Sequence, residues 1–248
     1  MDRQRERFRW VTAVFLLLSL TACGGGEDDG NRVYPNYRID ATSTTPLTFH
    51  SFAVEQGDDH TVFTSSFGQG MGSYEPVPMY FFYSYLQYTN PLLKSPPTLN
   101  DSWSAPGKWS QSGWTHASVV AGVTESIVAG GTLYDNCVKI TTTITGDGAD
   151  RSGTPASDEV NGFVRGSRDV WYAPGVGVVR MAYSHENGFA TVGELQSYSL
   201  AAPSSSYFPL AVGNQWTYSW TNGYRTSIVT EVYTVAAACD GPQGDCRL

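Results

Sequence analysis

The strongest constraint on this chain is a side-chain alternation of period two. In VKITTTIT, Val138, Ile140, Thr142 and Ile144 fall on one side, and Lys139, Thr141, Thr143 and Thr145 on the other. An extended strand sends successive side chains to opposite faces, so this pattern suits a sheet with one buried face. VTESIVA puts Val123, Glu125 and Ile127 on one face, and TSIVTEVYTV from Thr226 is rich in β-branched residues. YFFYSYLQY, from Tyr80 to Tyr88, is nearly all aromatic or apolar, which suits a strand buried on both faces or at a binding surface. No window of about 11 residues after Asn31 carries the i, i+3, i+4, i+7 stripe of a helix. Glycine, proline, serine and asparagine clusters separate the runs at short spacing. The expected fold is all-β: an antiparallel meander, sandwich or open barrel, with little helix outside a signal peptide. Residues Gly146 to Gly162 read as a long polar loop. Its acids, Asp147, Asp150, Asp158 and Glu159, lack the spacing of an EF-hand calcium loop, so a metal is not expected there.

The first residues address the chain. Arg3, Arg5, Arg7 and Arg9 precede the apolar run Val11 to Leu20, and Leu20-Thr21-Ala22-Cys23 follows. A basic start, a short apolar core and small residues before the cut describe a secretory signal. The run is too short to span a bilayer as a helix, which needs roughly 20 residues. Its end resembles the lipobox of bacterial lipoproteins. That resemblance implies diacylglycerol on the Cys23 sulfur, cleavage before Cys23 and acylation of the new amino terminus. Gly24 rather than aspartate after the cysteine favours the outer membrane. Next, GGGEDDGN from Gly24 to Asn31 reads as a flexible solvated tether. Glu27, Asp28 and Asp29 are adjacent, without the alternate spacing of a calcium loop.

The expected organisation is a signal peptide over 1–22, a tether over 23–32, a main antiparallel β domain over 33–203 and a truncated second β repeat over 204–248. Without the signal, the chain has 11 basic and 21 acidic residues. Nucleic acid is therefore not an expected partner, since phosphate binding needs basic patches. Cys239 and Cys246 bracket the turn-rich DGPQGD in an oxidising compartment, where a disulfide is expected. Cys137 reads as a small buried strand residue.

The repeat rests on NDSW, Asn100 to Trp103, against GNQW, Gly213 to Trp216, each after a proline-containing stretch. The tryptophans are 113 residues apart, and Gly113-Trp114 and Gly223-Tyr224 follow at an offset of 110. A near-fixed offset suggests two copies of one unit. The chain also resembles a set of uncharacterised bacterial envelope proteins. Their units open with F-P-L-x-x-G-N-x-W-x-Y, as Tyr207 to Tyr218 does here. They continue with an E-x-V-x-V-x-A-G-x-[FY]-x-x-C strand pair, compared here with Glu125 to Cys137, and close with W-Y-A-x-G-V-G-[LV]-V-[KR], as Trp171 to Arg180 does. The opening motif near Asn100 is degenerate, and the copy at Tyr207 lacks a closing motif. The resemblance implies an exported antiparallel β protein and no established activity.

WYAPGVGVV, Trp171 to Val179, superficially suggests a phosphate loop. A dinucleotide fingerprint wants a third glycine, but Arg180 stands three beyond Gly177. Pro174-Gly175 suits the centre of a type II turn, so a hairpin over 168–183 is expected instead. His50, His60, His116 and His185 form no H-E-x-x-H motif, and neither G-x-S-x-G nor S-x-x-K occurs. No metal, cofactor or catalytic residue is expected. Glu125, Asp169, Glu186 and Glu194 lie on or near expected strands, where a convergent pair would serve glycan hydrolysis. Trp103, Trp109 and Trp114 cluster in the sequence. Trp216, Tyr218 and Trp220 share one strand face, as core or as ligand-facing aromatics. The favoured function is a lipid-anchored envelope protein that binds or scaffolds, with envelope proteins or glycans as partners and the membrane reached through its N-terminal lipid. The alternatives are an envelope glycan hydrolase and a carrier of apolar ligand or lipid. Alkylation before and after reduction should show two extra modified thiols once the Cys239–Cys246 bridge is opened; equal labelling would contradict the bridge.

Overall fold

The computed structural model describes residues 36–44, 47–56, 60–67, 91–106, 112–149, 155, 157–222 and 225–239. Tyr80 to Tyr88, the tether and Cys246 lie outside them. The described part is nearly all antiparallel sheet. Its strands are β1 (Asn36–Thr44), β2 (Leu47–Gln56), β3 (His60–Phe67), β4 (Pro91–Lys94), β5 (Ser102–Pro106) and β6 (Ser112–Ala129). They continue as β7 (Thr132–Ala149), β8 (Gly166–Ala173), β9 (Gly177–His185), β10 (Ala190–Ser199), β11 (Gln215–Asn222) and β12 (Arg225–Cys239). All twelve form one sheet in the order β4-β3-β2-β1-β12-β11-β10-β9-β8-β7-β6-β5. Val33–Leu248 is one compact unit, so β11 and β12 are strands of the common sheet.

β4 and β5 are opposite edges of this sheet but neighbours in sequence, joined by residues 95–101. That connection reaches at most about 27 Å. Twelve flat strands would span roughly 50 Å. The sheet therefore curls until its edges approach. Lys94 Nζ lies 5.5 Å from the centroid of the Trp103 ring. The Tyr172 hydroxyl, on β8, donates to Leu92 O on β4 at 3.4 Å. The result is an open barrel, one of the three expected forms.

The alternation sets its inside. Val138, Ile140, Thr142 and Ile144 are all buried on one face of β7. The hairpin expected over 168–183 is present as β8 and β9. Val176 N donates to Ala173 O at 3.1 Å across Pro174-Gly175. Gly175 has φ of 73°, as the third position of a type II turn requires.

The loop expected over Gly146 to Gly162 needs two corrections: β7 extends through Ala149, where Ser112 pairs with it, and a helix takes up the far end. Asp158–Val164 forms a short helix, α1. Asn161 N donates to Ser157 O, and Asp158 stands in the first turn, where an acid suits the helix dipole. The buried Asn161 also fixes the turn from outside: its Oδ1 accepts from Trp114 Nε1 at 3.1 Å and from Gly148 N at 2.9 Å. This tertiary anchor has no signature in local periodicity.

The repeat is visible in the main chain. Asn100 N donates to Val120 O, Val120 N to Asp101 O, and Asp101 N to Thr98 O. Gly213 N donates to Val235 O, Val235 N to Asn214 O, and Asn214 N to Ala211 O. Asn100 and Gly213 both have positive φ, 72° and 92°. The likeness continues across the sheet. Val120 faces Ile140 and Gly122 faces Lys139, with Ala121 skipped; Val235 faces Ile39 and Ala237 faces Arg38, with Ala236 skipped. One strand further, Trp171–Arg180 is followed by Tyr172–Val178, and Ala53–Ser65 by Val54–Phe63. Two irregularities thus recur at matching places, whereas the Gly122/Glu125 and Glu125/Ile127 shifts of the β6–β7 ladder have no counterpart between β12 and β1. Thus β5 to β10 form one copy, and β11, β12, β1, β2, β3 and β4 form the other. The copy that begins near Ser204 is continued by the N-terminal strands.

Asn214 pins the second copy. It is fully buried. Its Oδ1 accepts from Ala201 N at 2.8 Å and its Nδ2 donates to Pro209 O at 3.1 Å. Asn214→Ala should leave both main-chain groups unpaired and lower stability by roughly 2–4 kcal/mol in urea unfolding. An unchanged midpoint would contradict this role.

Candidate functional site

Trp216, Tyr218 and Trp220 do share one face of β11, and it is the inner one. Their exposures are 6%, 6% and 1%. Trp216 Nε1 donates to Val176 O at 2.7 Å, and the Tyr218 hydroxyl donates to Val178 O at 2.8 Å. Both polar tips thus reach past β10 to the β8–β9 hairpin. Trp220 lies over Gly193, where an added Cβ would come within 2.5 Å of its ring. Tyr218 meets Tyr233 edge-on, with ring centroids 5.5 Å apart. A buried aromatic with its polar group satisfied is a strong sheet clamp.

The same alternation carries an acid inside. Val229, Glu231, Tyr233 and Val235 on β12 are all buried, and Glu231 has no exposed surface. The Tyr233 hydroxyl donates to Glu231 Oε2. Burial raises the Glu231 pKa to about 8, with Tyr233 and the Trp220 indole opposing the rise by hydrogen bonding. The carboxyl is therefore mostly protonated at neutral pH. Burial, followed by the charge of Glu231, raises Tyr233 well above the usual phenol range.

A second group of polar residues crosses the other copy in register. Ser118 faces Thr142, Thr142 faces Arg168, Arg168 faces Tyr183, and Tyr183 faces Thr191. All five are buried. Ser118 Oγ and Thr142 Oγ1 are 2.9 Å apart, as are His185 Nε2 and Thr191 Oγ1. The Tyr183 and His185 rings are 4.1 Å apart. Burial pushes the Arg168 pKa well below its ordinary range, opposed by the Tyr183 and Tyr172 phenols. Burial alone brings His116 down to about 4, so its ring is neutral at pH 7.

The four acids singled out for a hydrolytic pair are each held by a partner. Glu125 Oε2 accepts from Trp171 Nε1 at 2.7 Å. Asp169 pairs with Lys139 at 2.9 Å and accepts from Thr141 at 2.6 Å. Glu194 pairs with Arg180 at 3.6 Å, and Glu186 with Arg165 at 2.7 Å. Trp171 lies beside Lys139 and Arg180, 5.0 and 5.9 Å from its ring centroid.

Cys137 is buried and free, and its thiol is raised to about 11, first by burial and then by Asp135 and Glu125. That environment disfavours the thiolate a nucleophile needs. Cys239 ends β12, whereas Cys23, Cys246 and Trp109 lie outside the described residues. Trp103 and Trp114 fall on β5 and β6. Among the described residues, no group of three or more His, Cys, Asp or Glu is placed to hold a metal. The inward Arg168, His116, His185 and Glu231 were not legible as a site. The available signal was Glu231 between Val229 and Tyr233 in the buried phase of TSIVTEVYTV, but Ile228 and Val232 make the opposite phase equally apolar.

Glu231 and His116 give opposite pH dependences. Folded Glu231 holds its proton more tightly than the unfolded chain, so stability falls as pH rises from about 4.5 to about 8. Folded His116 resists protonation, so stability rises between about 4 and 6.5. The window above pH 6.5 belongs to Glu231. Stability should drop by ~2 kcal/mol between pH 6.5 and 8, and Glu231→Gln should flatten that slope. A flat wild-type profile in urea titrations across this window would contradict the buried acid.

No family model, curated protein or solved structure matches the chain.

Proposed function

We propose that the chain is an exported, lipid-anchored protein of the bacterial cell envelope, at the outer membrane, whose folded part binds or scaffolds. The observation that carries this reading is Leu20-Thr21-Ala22-Cys23, placed directly after a basic start and a ten-residue apolar run. Two acyl chains on a glyceryl thioether and a third on the amine would hold the protein firmly, since each buried CH₂ adds about 0.8 kcal/mol.

The inner face supports binding or scaffolding rather than chemistry. Trp216 and Tyr218 spend their polar groups on main-chain carbonyls. Outside the inner face, Glu125, Asp169, Glu186 and Glu194 spend theirs on Trp171, Lys139, Arg165 and Arg180. Side chains so used make a stiff body, the property a platform for envelope proteins or glycans needs. Cells grown with labelled palmitate should tag the wild-type chain, and Cys23→Ala should remove the tag. A tag that persists on the variant, or one never acquired by the wild type, would overturn the lipoprotein reading.

A further inference from the structure

Antiparallel order assigns every connection to one of two ends of the sheet. β1 runs in the same direction as every odd-numbered strand. The chain therefore enters β1 at the end that also holds the β2–β3, β4–β5, β6–β7, β8–β9 and β10–β11 connections. The side chains there are unusual. Leu99, Val128, Leu133, Tyr198 and Val212 are each between 45% and 60% exposed. They are five of the seven large exposed hydrophobics among the described residues. Leu99 and Val212 occupy matching positions in the two copies, in the turns before β5 and β11. Val128 and Leu133 face each other across the β6–β7 hairpin.

Charge separates the two ends as well. Residues 95–100, 126–134, 174–179 and 195–214 contain no Asp, Glu, Lys or Arg. These stretches cover the β6–β7, β8–β9 and β10–β11 connections at the entry end, and the β4–β5 connection as far as Asn100. Asp101 closes the β4–β5 connection, and in the sequence Asp58 and Asp59 fall between β2 and β3. The opposite end holds Arg165 between Asp147 and Glu186, at 2.6 and 2.7 Å. Among the described residues, Phe189 is the exposed aromatic of that end, in the β9–β10 connection.

We infer that the entry end, with the exposed Leu99, Val128, Leu133, Tyr198 and Val212, rests on the lipid surface to which Cys23 is anchored. The inference rests on the lipoprotein reading. The tether supplies the occupant: residues 23–35 separate the acylated cysteine from the first residue of β1. A flexible chain of that length has an average span of ~20 Å. Read as a tether, these residues keep the lipid surface close to this end. Uncharged apolar turns enter the headgroup region without the cost of desolvating a charge. Ion-paired Arg165 at the far end stays in water.

The test uses the full acylated chain, isotope-labelled, in nanodiscs of phosphatidylethanolamine and phosphatidylglycerol with a gadolinium-chelating headgroup lipid. Amides of Leu99, Gly130, Gly131 and Val212 should relax several-fold faster than amides of Glu186 to Phe189. Combining Leu99→Ser, Val128→Ser, Leu133→Ser and Val212→Ser should erase the difference while palmitate labelling persists. Equal enhancement at both ends of a palmitate-bearing wild-type chain would overturn docking alone. Concentration-dependent dimerisation through the entry end, with no lipid enhancement, would also overturn it. A chain that carries no palmitate would remove the anchor and the docking together.

Discussion

The ladder between β1 and β12 is the interaction on which the rest depends. Residues Asn36 to Ser43 pair with Glu231 to Cys239, joining the first four strands to the last eight. Without it, β1 and β12 would both be edges, with unpaired N–H and C=O groups along their length. With it, the second copy acquires its third to sixth strands. The short connection from β4 to β5 then turns the sheet back on itself. Curling gives the sheet an inside, and the inside collects Trp216, Tyr218, Trp220 and the buried polar residues.

That inside is not a plain hydrocarbon core. Burying an ionisable group costs free energy unless the group is neutralised or hydrogen-bonded. Glu231 meets the cost by staying protonated against Tyr233 and Trp220. His116 meets it by staying neutral. In the matching positions of the two copies, His116 on β6 corresponds to Glu231 on β12, since Ser118 corresponds to Tyr233 and Val120 to Val235. The two copies thus share two backbone irregularities and differ in the chemistry at the inner face. The outer face follows a simpler rule: Lys139, Asp169, Arg180 and Glu194 pair in water's reach around Trp171.

Local features of the sequence translated well into structure. VKITTTIT alternates, and its alternate residues are buried. WYAPGVGVV lacks a third glycine, and it forms a turn. The NDSW and GNQW stretches share an offset, and they share a hydrogen-bond pattern. Features that depend on distant partners were less legible. The helix at Asp158 relies on Asn161 reaching Trp114, a residue 47 positions away. The continuation of the second copy through β1 relies on pairing between opposite ends of the chain. The inward phase of β12 is ambiguous because Ile228 and Val232 compete with Val229 and Tyr233. Nothing local marks Arg168 as buried, since its neighbours Ser167 and Asp169 are polar too.

Direction links this fold to the proposed envelope role. On that proposal the end that β1 enters is the one that matters, and β1 is fixed in direction by its partners β12 and β2. Cross-strand backbone NOEs in the isotope-labelled mature chain test this most directly. Contacts of Ile39 with Val235 and of Ala41 with Tyr233 are expected, alongside those of Val120 with Ile140 and of Ser118 with Thr142 in the other copy. A spectrum in which β6 meets β7 as stated but β1 makes no contact with β12 would contradict the duplicated, curled sheet.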